Sequence, residues 1–140
     1  MTQSHGATLR RAVETCINPD EGAIAQLGDL FTEDATVWSP NLLTTSRSDL
    51  ADALAFREDA FSDVAIQFDG VDTFGTKGFV EFRVSATFSG AFVIDEEVAI
   101  EPNGRRLVLG AAAVAEFESG KIKALRAYFD DAALLEQMLA

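Results

Sequence analysis

Apolar positions recur at spacings of three and four in the first part of the chain and at spacings of two in the rest. Leu9, Val13, Cys16 and Ile17 share one face of a predicted helix, which stops at Asn18-Pro19 because the residue before a proline is pushed out of the α region. Asp20 then stands as the N-cap of a second helix carrying Ile24, Leu27, Leu30 and Phe31. Ala35 to Pro40 reads as a strand, with Val37 opposed to Thr36 and Trp38. A third helix opens at Ser46, with Asp49 at the spacing of a capping box. Its apolar stripe runs through Leu50, Ala53, Leu54, Phe56 and Phe61.

From Val64 onward the period is two. Ile66, Phe68 and Val71 lead to a turn at Phe74-Gly75-Thr76-Lys77-Gly78. A long strand follows over Phe79 to Phe88, with an extension to Val93 across Gly90. After Pro102-Asn103-Gly104 come two apolar strands joined by Glu118-Ser119-Gly120-Lys121, and the second ends in Tyr128-Phe129-Asp130 at a short amphipathic helix. Helices first, then an antiparallel meander, then a closing helix is an α+β order: a curved antiparallel sheet wrapped around N-terminal helices. It is not a βαβ order, and no glycine-rich phosphate loop joins a strand to a helix.

A chain of 140 residues suits a single domain over residues 1–140, with the polar start, residues 1–7 including His5, expected to be mobile. The net charge of -12 disfavours nucleic acid and anionic membranes as partners. Its acids are spread along the chain, as solubility alone requires. The lone Cys16 cannot form an internal disulfide, and no signal peptide or apolar span is visible, so a cytoplasmic location is expected. With one His and one Cys, neither a metal site nor a Ser-His-Asp device is expected, and no cofactor is implied. Acid–base chemistry would fall to Asp, Glu, Lys or Tyr128.

Two strands leave alternatives open. The long strand has a polar row, Glu81, Arg83, Ser85 and Thr87, and an apolar row, Val80, Phe82, Val84, Ala86 and Phe88. Either the apolar row faces the core, or the polar row enters a pocket and Phe82, Val84 and Phe88 pack on a second copy as a homodimer. The strand Leu107 to Phe117 carries Gly110, Ala111, Ala112, Ala113 and Ala115. Small side chains there serve either close packing or space for a ligand.

Several segments, taken in order, resemble the SnoaL-like polyketide cyclases of the nuclear-transport-factor-2-like superfamily. They are Leu30 to Pro40, Phe61-Ser62-Asp63-Val64, Ala86 to Phe92, Gly120-Lys121-Ile122, Arg126-Ala127-Tyr128-Phe129-Asp130 and Leu134-Leu135-Glu136-Gln137. The resemblance implies a cone-shaped α+β barrel with an apolar pocket, lined by Trp38, Arg83, Ser85, Leu109, Ala111, Ala127, Phe129 and Leu134. It also implies an acid on the last strand, where this chain has Ala127. Asp130 matches a second family acid, and as the residue before the last helix it reads as a cap. In related epoxide hydrolases an Arg-x-Asp pattern falls on Arg83-Val84-Ser85, with Ser85 in place of the carboxylate. One reading is therefore an enzyme on a small hydrophobic or polyketide-like substrate, with Arg83, Ser85 and Glu81 as catalytic candidates and Glu116 as another possible base. An Arg83–Glu81 ion pair without catalysis explains the same residues. The alternatives to an enzyme are a binding protein for a small apolar ligand and a homodimeric association protein.

Overall fold

The computed structural model describes residues 4–56 and 59–140, which form four α-helices and eight strands. Each helix opens on a short polar side chain that accepts from a first-turn N–H group. Ser4 accepts from Ala7 ahead of α1 (His5–Ile17), and Asp20 accepts from Ala23 ahead of α2 (Glu21–Ala25). Ser46 accepts from Asp49 ahead of α3 (Arg47–Ala55), and Asp130 accepts from Ala133 ahead of α4 (Asp131–Leu139). The Asp49 carboxylate accepts in return from the Thr45 N–H, so the capping box closes one residue early.

Some element boundaries differ from the sequence reading. Residues 5–7 are the first turn of α1, and His5 stacks on Phe117 with ring centroids 4.0 Å apart. Residues 1–3 lie outside the described residues. The second helix ends at Ala25, a single 3-10 turn covers Leu27–Asp29, and Phe31 already belongs to β1 (Phe31–Ser39). Strand pairing overrides helical spacing there: the Leu30 carbonyl accepts from Ile122, and Phe31 is fully buried. Phe56 follows the end of α3 and is exposed, whereas Phe61 begins β3 (Phe61–Phe74).

The main sheet has the order β2-β1-β8-β7-β4-β3, with β2 at Leu42–Thr44, β4 at Lys77–Phe88, β7 at Arg106–Glu118 and β8 at Lys121–Phe129. Its neighbours are antiparallel except β1 and β8, which run parallel and align Val37 with Leu125 and Trp38 with Arg126. Ser119 and Gly120 both take positive φ (52° and 80°) in the two-residue turn between β7 and β8, the conformation that matches the strands' own twist. Register shifts at Ser62/Ala65 and Phe68/Gly70 in β3–β4 and at Glu116/Phe117 in β7–β8 are bulges, which bend a sheet around what it covers.

The expected extension of the long strand to Val93 does not form. The chain breaks at Ser89-Gly90, whose N–H groups both donate to the Ala60 carbonyl. A Cβ at Gly90 would sit 2.3 Å from the Asp59 carbonyl oxygen, so only glycine passes there. Beyond it, β5 (Phe92–Val93) and β6 (Ala99–Ile100) make a separate two-stranded hairpin. Its tip is closed by Asp95, which accepts from the Glu97 and Val98 N–H groups.

The two readings of the long strand are resolved by burial. Val80, Phe82, Ala86 and Phe88 are buried, and the core joins Leu9 and Val13 of α1 and Leu50 and Leu54 of α3 to Ala113, Ala115, Ile122 and Leu125 of the sheet. Each large side chain taken from water contributes roughly 1.5–3 kcal/mol. The reverse orientation would give up that contribution and bury Glu81 and Arg83 instead. Phe82 (3 % exposed) and Phe88 (0 %) therefore cannot form the homodimer surface expected of the second reading. At the far end Gln137 of α4 both donates to the Val108 carbonyl and accepts from the Val108 N–H. It takes the place of a strand partner beyond the end of β8 and locks α4 under the sheet.

Candidate functional site

The inner face of the sheet and the helices do not fill the space between them. A cavity of ≈ 690 Å³ remains. Its floor is the inner row of three adjacent strands: Phe82, Val84 and Ala86 of β4, Leu107, Leu109, Ala111 and Ala113 of β7, and Leu125, Ala127 and Phe129 of β8. Val13, Cys16 and Ile17 of α1 form one wall, and Ala53 and Leu54 of α3 continue it. Leu134 and Leu135 of α4 and Phe92, Val93 and Ile94 of the hairpin close the far side. The Phe92 ring leans on Phe61 at 6.2 Å, which anchors the base of the hairpin.

The volume follows from the sequence of β7 and β8. Ala113 stands directly opposite Ala127, and Ala111 opposite Phe129. Three methyl groups, those of Ala111, Ala113 and Ala127, occupy floor positions where larger side chains would take up cavity volume. Ala113 and Ala115 are buried in the core cluster with Leu9 and Phe117, and Ala111 and Ala113 also border the cavity.

Of the expected pocket set, Leu109, Ala111, Ala127, Phe129 and Leu134 border this one cavity, the first four on its floor and Leu134 on its far side. Trp38 borders the same cavity, but its indole tilts against Tyr128 at 5.3 Å, on the outer side of the sheet. Arg83 and Ser85 are a correction: they do not line the cavity. Period two puts them on the outer face once Phe82 and Val84 point inward. Arg83 pairs with Asp69 at 3.1 Å, with 54 % of its side chain exposed, and Ser85 accepts from Arg106. Glu81 also sits on the outer face, exposed opposite Gly70 and Ala112. The expected Arg83–Glu81 pair is replaced by Arg83–Asp69. Such a solvated pair is worth no more than about 1 kcal/mol.

Glu116 points away from the cavity as well. It accepts from Arg126 at 3.2 Å. That hydrogen bond is the largest influence, and with the nearby charges of Arg126, Lys77 and Lys123 it outweighs the opposing effect of burial and holds the carboxyl below the ordinary value of 4.5. Asp130 is the α4 cap, its carboxylate 3.1 Å from the Ala133 N–H.

Sequence reasoning missed the polar part of the cavity wall. Ser39 and Asn41, at the β1–β2 turn, and Asp131, in the first turn of α4, all line it. The Ser39 hydroxyl donates to Asn41 Oδ1 at 2.9 Å. β1 and β8 run parallel, so Ser39 lies one residue past the last aligned pair, at the level of Ala127. The signal for Ser39 was present in the alternation around Val37, but its neighbour depended on the parallel pairing. Asp131 carried no signal, since an acid in a first helical turn is ordinary. A second cavity of ≈ 510 Å³ adjoins the first, sharing Ile17, Leu54, Phe61 and Val64 and adding Asp20, Glu21 and Asp59. Among the described residues no group of His, Cys, Asp and Glu could hold a metal ion, and no helix is long and apolar enough to cross a membrane.

Comparison with known proteins agrees with this architecture. A protein named as a SnoaL-like polyketide cyclase from Jannaschia sp. CCS1 superposes with a TM-score of 0.80 at 14% identity, covering 100% of this chain and 98% of its own. IdmH, named as a polyketide cyclase from Streptomyces antibioticus, gives 0.75 at 16% identity, covering 99% and 100%. A protein named as a polyketide cyclase from Acidithiobacillus ferrooxidans gives 0.75 at 14%, covering 99% and 97%. No curated protein matches the sequence. The family model described as SnoaL-like polyketide cyclase matches residues 7–138, and the chain therefore belongs to the SnoaL-like polyketide cyclase family.

Proposed function

We propose that the protein holds a small, largely apolar, polyketide-like molecule in the cavity between the sheet and the helices. The observation that carries this reading is the cavity itself. It is ≈ 690 Å³ in volume and is lined by aliphatic and aromatic side chains with a few polar groups, the composition of sites for small organic ligands. The naming of the Jannaschia and Streptomyces proteins as polyketide cyclases supports the ligand class. Native mass spectrometry of the purified protein tests the reading. Retention of a small organic molecule, or uptake of an added aromatic polyketide, supports it. A protein that takes up nothing from a panel of such molecules contradicts it.

Binding without turnover is the reading the floor favours, because a methyl group stands at Ala127 where the family resemblance implies an acid. Removing a general acid or base costs about 10²- to 10⁴-fold in rate. Catalysis is a second reading, supported by one group: Asp131, the carboxylate on the cavity wall. It calls for turnover of hydroxylated polyketides or ketosteroids that Asp131→Asn abolishes and Arg83→Ala leaves intact. No turnover by wild type across that panel removes it.

We also propose that two copies pair through the outer face of the sheet. Trp38, Leu43, Phe79, Val108 and Tyr128 are exposed there, and Gly110 and Ala112 lie between them in the register. Exposed aromatic side chains suit an interface core, with Glu81 and Arg83 beside Ala112 and Gly110 as its polar part. Light scattering across a concentration series tests this, with Tyr128→Asp expected to shift a dimer toward monomer. Wild type that stays monomeric at high concentration refutes it. A cytoplasmic location fits this reading, supported by the single cysteine of the chain.

A further inference from the structure

The charge on the cavity wall has one sign. Among the described residues that line it, Asp131 is the carboxylate and there is no Lys, Arg or His. Ser39 and Asn41 add hydrogen-bonding capacity but no charge, and they already bond to each other. Asp131 has no hydrogen bond or ion pair of its own among the described residues, whereas its neighbour Asp130 is committed to the Ala133 N–H.

The start of α4 works in the same direction. A helix N-terminus carries roughly half a positive charge and by itself attracts anions. Here Asp130 fills the first-turn donor and Asp131 adds a second carboxylate. Two negative charges against about half a positive one leave this end of the cavity electronegative. An anionic ligand would meet the like charge of Asp131 with no lining cation to receive it, which is unfavourable. A cation at the same place meets a carboxylate without a partner.

We propose that the cavity takes a hydrophobic amine: an apolar body against the alanine floor, with a protonated amino group held by Asp131. This rests on the reading of the cavity as a ligand site and names the chemistry of the ligand's polar end. Asp131 is exposed, so the ion pair stays wet and its effect is about fivefold in affinity.

The test uses three probes that share one aromatic body: 1-naphthylmethylamine, 1-naphthylmethanol and 1-naphthoate, titrated calorimetrically into the full chain at pH 7. The amine is expected to bind tightest and the naphthoate weakest. Asp131→Asn should lower amine affinity about fivefold, leave the alcohol unchanged and improve the naphthoate. Glu118→Gln, exposed at the β7–β8 turn and outside the cavity wall, should change none of them, which separates a local effect from the net charge of -12. If the alcohol binds but the amine binds no tighter, or if Asp131→Asn leaves the ranking unchanged, the amine proposal is overturned and the cavity reading stands. If none of the three binds, both are overturned.

Discussion

Replacing Ala127 by leucine places three more carbons in the cavity floor, and the sign of the stability change reports whether that space exists in solution. Ala127 faces Ala113 across the β7–β8 ladder and borders ≈ 690 Å³ of unfilled volume. Three methylene equivalents moved out of water contribute at most about 2.4 kcal/mol at roughly 0.8 kcal/mol each. An open cavity surrounds the new side chain incompletely, so about 1–2 kcal/mol is the expected gain. For a chain of this length that raises the melting temperature by about 3–7 °C. Leucine also fits a strand better than alanine, which acts in the same direction. In a closely packed floor the same substitution forces neighbours apart and costs about 1–3 kcal/mol. Thermal unfolding followed by circular dichroism, repeated in urea, gives the sign directly. A lower melting temperature for Ala127→Leu would mean that the floor packs against α1 in solution and that the cavity reasoning is wrong. The same variant should also weaken binding of a naphthalene-sized probe, since filler and ligand compete for one volume.

Thr44 is 3 % exposed and its hydroxyl has no hydrogen-bond partner among the described residues, so Thr44→Val, similar in shape, should stabilise by about 1 kcal/mol in urea unfolding. Asp130→Ala should cost about 1 kcal/mol by removing the α4 cap, with Asp131→Asn near neutral in the same assay. Glu116 has a folded-state pKa lowered by its hydrogen bond from Arg126, so its contribution is present above the unfolded value and is lost as pH falls through the lower folded one. Glu116→Gln should therefore be less stable than wild type near neutral pH, and the two should converge well below pH 4.5; a gap that persists in acid would contradict the assignment.

The reach of the sequence can be followed residue by residue. Helix starts were legible because a cap is a local device: Ser46, Asp20 and Asp130 sit next to the turns they serve. The β7–β8 hairpin was legible because alternation and Ser119-Gly120 act within a few residues. The helix expected through Phe31 was misread because its spacing also suits a buried strand, and only pairing with β8 decides between them. The positions Leu109, Ala111, Ala127 and Phe129 were expected from the family resemblance, and period two adds only that Leu109 shares a face with Ala111 and Ala127 with Phe129. Arg83 and Ser85 were assigned to the wrong face because a shift of one residue exchanges the faces of a strand, and local pattern does not say which face meets α1. Asp131, Ser39 and Asn41 could not be grouped in advance. They line one cavity only because β1 lies parallel to β8 and α4 packs against β7.

The central claim is that an apolar molecule enters between the inner face of the sheet and the helices. Methyl-labelled protein titrated with 1-naphthylmethanol and followed by NMR tests this most directly, because neighbouring residues on β7 face opposite sides. Shifts are expected in the methyl signals of Ala111, Leu125, Ala127 and Leu134, which line the cavity, with Ala112 and Val108 on the outer face unmoved. Shifts confined to Ala112 and Val108, or none at saturating probe, would contradict it.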